Sequence, residues 1–104
     1  MATGILGQAA PSAATNTTVY TVPAATTAVT TVSISNTTGY PTTFNLAVAG
    51  TGTPTSSEYL EYQTVLPEFG VFERSGIVAN AGERFVVYVV NAGASVSVYG
   101  YEEA

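Results

Sequence analysis

Residues 27–36, Thr27-Ala28-Val29-Thr30-Thr31-Val32-Ser33-Ile34-Ser35-Asn36, decide the fold class. Successive side chains of an extended chain point to opposite faces. Ala28, Thr30, Val32 and Ile34 therefore share one face, and Val29, Thr31, Ser33 and Ser35 the other. This is the period-2 pattern of a strand with one buried side.

The alternation recurs in both directions. Upstream, Thr17–Val22 (TTVYTV) reads as a short strand closed by Pro23. Downstream, the turn Asn36-Thr37-Thr38-Gly39-Tyr40-Pro41 leads into Thr42–Ala49, with Phe44, Leu46 and Val48 inward. Gly50–Ser57 (GTGTPTSS) reads as a flexible loop. Glu58–Leu66 then sets Leu60, Tyr62 and Thr64 on one face and Tyr59, Glu61 and Gln63 on the other. The Pro67-Glu68-Phe69-Gly70 turn introduces Val71–Val78 and, after Ala79-Asn80-Ala81-Gly82, Glu83–Val90. Residues 85–90 are apolar on both faces, which predicts a central strand covered on each side. In Ser95–Tyr101, Val96 and Val98 face in, while Ser95, Ser97, Tyr99 and Tyr101 face out.

Seven short strands punctuated by turn residues, with no helical pattern, predict an all-β fold: a single antiparallel β-sandwich, with jelly-roll order left open. Residues 17–104 form the predicted domain. Residues 1–16 (MATGILGQAAPSAATN) follow neither period, and Ile5 and Leu6 are their only large aliphatic side chains besides Met1. They read as an extended N-terminal arm, either a frayed terminus or a segment that docks Ile5 and Leu6 on a neighbour.

Composition excludes much chemistry. The 104 residues contain seven acidic and two basic side chains, all Glu and Arg, for a net charge of −5. There is no His, Cys, Lys, Asp or Trp. Thiolate nucleophiles, Cys or His metal ligands, an imidazole base and Lys Schiff bases are therefore ruled out. No catalytic, cofactor-binding or metal-binding residue is assigned, and an enzyme is not expected. Two Arg against seven Glu argue against nucleic-acid and anionic-membrane partners. No apolar run reaches the length of a membrane span or a signal sequence, so a soluble chain without an export signal is expected.

The remaining candidates are modest. Glu58 and Glu61, three residues apart, should face opposite ways, which disfavours a carboxylate pair. Glu73-Arg74 and Glu83-Arg84 suggest cross-strand pairs, Glu73 with Arg84 or Arg74 with Glu83, across the 79–82 turn. The sequons at Asn16 and Asn36 carry little weight in so Thr-rich a chain. Seven Glu and two Arg spread over a surface of roughly 5,500 Å² leave about one charge per 600 Å², sparse for an unassociated domain. Residues 1–57 carry no charge at all, so that half is where neighbours are expected to bind. Tyr59, Tyr99 and Tyr101, joined by Tyr20 and Tyr40, suit protein contact, sugar stacking or pairing within a sheet.

Met1-Ala2-Thr3-Gly4-Ile5-Leu6-Gly7-Gln8 with Ala10-Pro11, Thr17–Pro23, Glu58–Tyr62, Gly70–Ile77, Ala81-Gly82-Glu83 and Val96–Glu103 together resemble small virion structural proteins of tailed bacteriophages. The resemblance spans nearly the whole chain. It implies a non-enzymatic β-sandwich acting as a capsid decoration (cement) protein, or else as a tail, baseplate or fibre component. Where members of the family decorate capsids, they commonly sit as trimers. The implied partners are further copies of the chain and the major capsid or other virion proteins, and the implied location is the virion, at the capsid surface. Candidate interface residues are Ile5, Leu6, Tyr20, Tyr40, Tyr59, Tyr99 and Tyr101. A glycan-binding receptor-recognition module is the reading from a different class.

Overall fold

The computed structural model describes residues 2–104. Its eight strands are β1 (Thr3–Ala9), β2 (Thr17–Thr21), β3 (Thr27–Asn36), β4 (Thr42–Ala49), β5 (Tyr59–Leu66), β6 (Val71–Ala79), β7 (Arg84–Val89) and β8 (Ala94–Glu103). They form two antiparallel four-stranded sheets, ordered β1-β8-β3-β6 and β2-β7-β4-β5. Only the β4–β5 connection stays within a sheet; every other one crosses to the opposite layer. That strand order is the jelly-roll arrangement of a β-sandwich.

The alternation in residues 27–36 holds along the whole of β3, with Ala28, Thr30, Val32 and Ile34 buried and their neighbours half-buried. Val32 and Ile34 meet Val96 and Val98 of the adjacent β8 and, across the layer, Phe44, Leu46, Phe85, Val87 and Val89. Phe72 of β6 packs on Phe44 with ring centroids 4.9 Å apart. The one hydroxyl in the row, Thr30, donates to the Ile77 carbonyl at 2.9 Å, so its burial leaves no polar atom unpaired. As predicted for a central strand, β7 lies between β2 and β4, with Phe85, Val86, Val87 and Val89 all buried.

Residues 3–9, expected to form part of a free arm, are instead the eighth strand. β1 pairs with β8 at the edge of its sheet, so the sandwich begins at β1 rather than at residue 17. A bulge explains why no alternation is visible: Ile5 pairs with Tyr99 but Gly7 with Val98, leaving Leu6 as the extra residue. Ile5 is exposed and Leu6 packs on the core. At Gly7 the strand comes so close to β2 that a β-carbon would collide with the Val19 carbonyl oxygen. Glycine is thus required for the β1 and β2 edges to touch.

The expected Glu–Arg pairs do not form, because the 80–83 connection sends β6 and β7 to different sheets. Arg74 instead reaches Glu61 of β5 at 2.8 Å, across the side where the β5 and β6 edges face each other. Glu83 accepts the Asn80 amide at 2.6 Å and closes its own turn. The uncharged half of the chain is not one side of the molecule either. β1 and β3 enter one sheet, β2 and β4 the other.

Asn36, at the end of β3, is 3 % exposed and fully engaged. Its Nδ2 donates to the carbonyls of Tyr40 (2.7 Å) and Pro67 (3.1 Å), and its Oδ1 accepts from the Thr38 amide (3.0 Å) and hydroxyl (2.7 Å). A glycan on this side chain is incompatible with that burial. Asn36→Ala should cost about 2–4 kcal/mol, since it removes the hydrogen bonds that join two turns and leaves a hole at a buried position. Gly7→Ala should cost about 1–3 kcal/mol by overpacking the β1–β2 contact. Denaturant unfolding checks both, and hydrogen exchange in Gly7→Ala should show residues 3–9 losing protection first.

Candidate interaction surfaces

The seven candidate residues separate into distinct environments. Ile5, Tyr99 and Tyr101 come together on the outer face of the β1-β8-β3-β6 sheet, Ile5 directly opposite Tyr99 and Thr3 opposite Tyr101. On the other flank of β8, Tyr101, Tyr99, Ser97 and Ser95 stand opposite Val29, Thr31, Ser33 and Ser35. β1, β3 and residues 94–101 carry no charged side chain. The carboxylate at the margin, Glu73 of β6, accepts the Tyr99 hydroxyl at 2.8 Å, and this bond pushes the Tyr99 phenol up from its ordinary pKa. The result is a three-stranded area on β1, β3 and residues 94–101 of β8, made of hydroxyls with a few large apolar and aromatic side chains and bordered by the carboxylates of Glu73 and Glu103.

Leu6 and Tyr20 are not on that face. Leu6 faces the core. Tyr20 is buried against Phe85, and its hydroxyl donates to Glu102 Oε2, while Glu102 Oε1 accepts the Ala2 amide at 3.1 Å. Burial first, and then the adjacent carboxylate, raise the Tyr20 phenol; the Tyr20 hydroxyl first, and then the Ala2 amide, lower Glu102. The pair is an internal strut between β2 and β8. Tyr40 projects at one end of the sandwich, near the exposed Phe69.

Tyr59 lies on the outer face of the second sheet, in a setting the alternation misassigned. β5 carries two bulges against β4: Phe44 pairs with Thr64, Leu46 with Glu61 and Ala47 with Tyr59. Tyr62 and Gln63 therefore share the single partner Asn45, and Leu60 is a second extra residue. The regular alternation would turn Tyr62 inward with Leu60. The bulges turn it out, 60 % exposed and edge-on to Tyr59 at a centroid distance of 4.9 Å. Next to this pair, Asn16, Asn45, Gln63 and Tyr88 line a depression of about 340 Å³, and Ser56 borders a second of about 270 Å³ on the tyrosines. Tyr62, Gln63, Asn45 and Tyr88 are not among the candidates from the sequence, and Asn16 enters there only as part of a sequon. The one local hint was Asn45, a carboxamide within the otherwise apolar run Phe44–Ala49 of β4.

The Gly50–Ser57 segment, expected to be flexible, is pinned by one carboxylate. Glu58 Oε1 accepts the Thr55 amide at 2.7 Å and Oε2 the Gly50 amide at 3.1 Å. The loop folds back over β2 and β7, with Gly52 against Arg84 and Thr18, above the buried outer-face residues Ala47 and Val86.

Four of the six other carboxylates are likewise engaged: Glu61 by Arg74 and Thr64, Glu73 by Tyr99, Glu83 by Asn80 and Glu102 by Tyr20 and Ala2. Among the described residues no three carboxylates come together in a way that could hold a metal ion.

No protein family, no curated protein sequence and no solved structure matches the chain.

Backbone hydrogen bonds from Thr55, then Gly50, hold the Glu58 carboxyl below its ordinary pKa. A carboxyl that binds protons less readily when folded contributes fully above its unfolded pKa, and that contribution is lost as pH falls through the folded one. The 50–58 loop should therefore loosen on acidification before the sandwich unfolds. The protection of the Gly50 and Thr55 amides, relative to their intrinsic exchange rate at each pH, should fall below the ordinary glutamate range. In Glu58→Gln both amides should have lost that protection at neutral pH already, with little further loss in acid.

Proposed function

We propose that the protein is a non-enzymatic structural component of a virion: a decoration (cement) protein that docks on the capsid surface as a homo-oligomer, a trimer by resemblance to small bacteriophage virion proteins. The observation that carries this reading is the outer face of β1, β3 and residues 94–101 of β8, which holds no charged side chain. Covering a charged face strips water from ions and is repaid only by well-paired partners. Hydroxyls can be re-bonded across a contact, and Tyr and Ile supply apolar area with few rotamers to freeze.

Size supports an assembled state. Strands of about ten residues at roughly 3.3 Å each, three abreast at about 4.8 Å, cover on the order of 500 Å². A stable interface buries roughly 800 Å² per partner, so one such face alone makes a weak contact. Several copies held together convert weak contacts into tight attachment through their effective concentration. Jelly rolls also host unrelated functions, so the topology by itself carries none of this argument.

Quantitative mass spectrometry of purified particles should find the protein in many copies on heads, and adding it to heads that lack it should raise their resistance to heat. A few copies per particle, found with tail proteins, would move the reading to a tail, baseplate or fibre component. Absence from particles would reject a virion role. Ile5→Asp and Tyr101→Asp, which bring a charge onto the neutral face, should each weaken head binding by roughly tenfold or more while shifting stability by only about 0.5 kcal/mol.

A further inference from the structure

The geometry points to a binding site for a neutral carbohydrate in the groove on the outer face of β4, β5 and β7, built on the Tyr59–Tyr62 pair. The site lies on the opposite face of the sandwich from the outer β1-β8-β3-β6 surface, and its chemistry does not depend on what that surface docks against.

Two independent observations converge there. One is backbone strain without a packing return. Gln63 adopts φ of +50°, a conformation that side-chain-bearing residues rarely hold, within a strand already bulged twice. A hydrogen bond from the Gln63 amide to Asn45 Oδ1, at 2.7 Å, fixes it. The outcome is that Tyr62 leaves the core side and stands exposed beside Tyr59, where it contributes little to folding. Strain of this kind concentrates where it positions a functional group.

The other observation is the chemistry of the lining. Asn45 uses its Oδ1 on the backbone, which leaves its Nδ2 as a donor toward the groove. The amides of Asn16 and Gln63 and the hydroxyl of Tyr88 add donors and acceptors, with no charged side chain among them. Both Arg residues are directed elsewhere, Arg74 to Glu61 and Arg84 toward Gly52. A sugar ring offers an apolar C–H face to an aromatic ring and paired hydroxyls to carboxamides, which is what this groove complements. An anionic glycan would meet no cation there and would face a chain of net charge −5. The depression, of about 340 Å³, falls in the range of small-ligand sites.

The isolated protein should be tested on immobilised neutral, sialylated and sulfated oligosaccharides, with elution by free galactose, glucose, mannose or N-acetylglucosamine. Retention on one or more neutral sugars, competed by the matching free sugar, is expected. Tyr62→Ala should weaken retention roughly tenfold. Gln63→Gly should also weaken it while raising the melting temperature, because glycine accepts the left-handed backbone without strain. That opposite movement of binding and stability is not expected of a purely structural residue. The proposal is overturned if the folded protein binds no neutral sugar, if it binds only acidic ones, or if both variants bind as well as the parent. Selection of a peptide by the same groove, with no sugar retained, also overturns it. Head binding is measured separately, so loss of one reading leaves the other standing.

Discussion

The carboxamide of Asn36 holds together the end of the sandwich where three crossings meet. The chain passes between sheets at 37–41, at 67–70 and at 90–93, and nothing in either ladder of strand hydrogen bonds fixes where those crossings occur. Asn36 joins the first two by donating to Tyr40 and Pro67 while Thr38 donates back to it, and its own amide donates to the Gly70 carbonyl at 2.8 Å. Thr37, one residue on, ties in the third by donating from its amide and its hydroxyl to the Gly93 carbonyl. Centred on the buried Asn36, with no buried side-chain polar atom left unpaired among the described residues, this cluster sets where β4, β6 and β8 begin, and with them the register of both sheets.

With that end fixed, the two long sides of the sandwich differ. On one, β1 and β2 touch through Gly7, and the Tyr20–Glu102 strut ties β2 to β8. On the other, β5 and β6 are both edge strands, linked by the Arg74–Glu61 ion pair. Open edges invite pairing with another chain, and bulges and charged side chains are the usual means of blunting them. β5 has two bulges and β6 one, between Thr30 and Val32, together with Glu73 and Arg74. Assembly by adding a strand to this side is thereby disfavoured, which leaves the flat outer faces as the surfaces fit for partners.

What could be read from the sequence follows from the range over which each feature is determined. β3 and β7 were legible because their faces are set by local alternation, as in Ala28-Thr30-Val32-Ile34, or by its absence, as in Phe85–Val90. β1 was not, because its bulge at Leu6 and its glycines at positions 4 and 7 erase the period while the partner that orders it lies some ninety residues away in β8. β5 was found, but between its two bulges Glu61 and Tyr62 exchange faces relative to the regular alternation, so Tyr62 was assigned to the core and Tyr59 was separated from its partner. The expected Glu–Arg pairs failed for a topological reason: a four-residue connection that looks like a hairpin turn instead changes sheets.

The same interleaving changes what the charge distribution means. The first 57 residues are uncharged, yet they are divided between both layers and cannot form one neutral side. A neutral face arises all the same, and for a different reason. β1 and β3 contribute no charge, β8 keeps its two carboxylates in its last two residues, and the Glu of β6 stands at the margin under the Tyr99 hydroxyl. On the other sheet the polar groups of the groove are amides and phenols, while the nearby carboxylate of Glu58 is turned to the loop backbone. Low charge in this protein is thus a property of two particular surfaces whose residues are themselves uncharged and whose neighbouring carboxylates Glu73 and Glu58 are engaged in hydrogen bonds, and the two differ in shape. A flat hydroxyl face suits an extended partner surface, and a strained, tyrosine-walled groove suits a small ring.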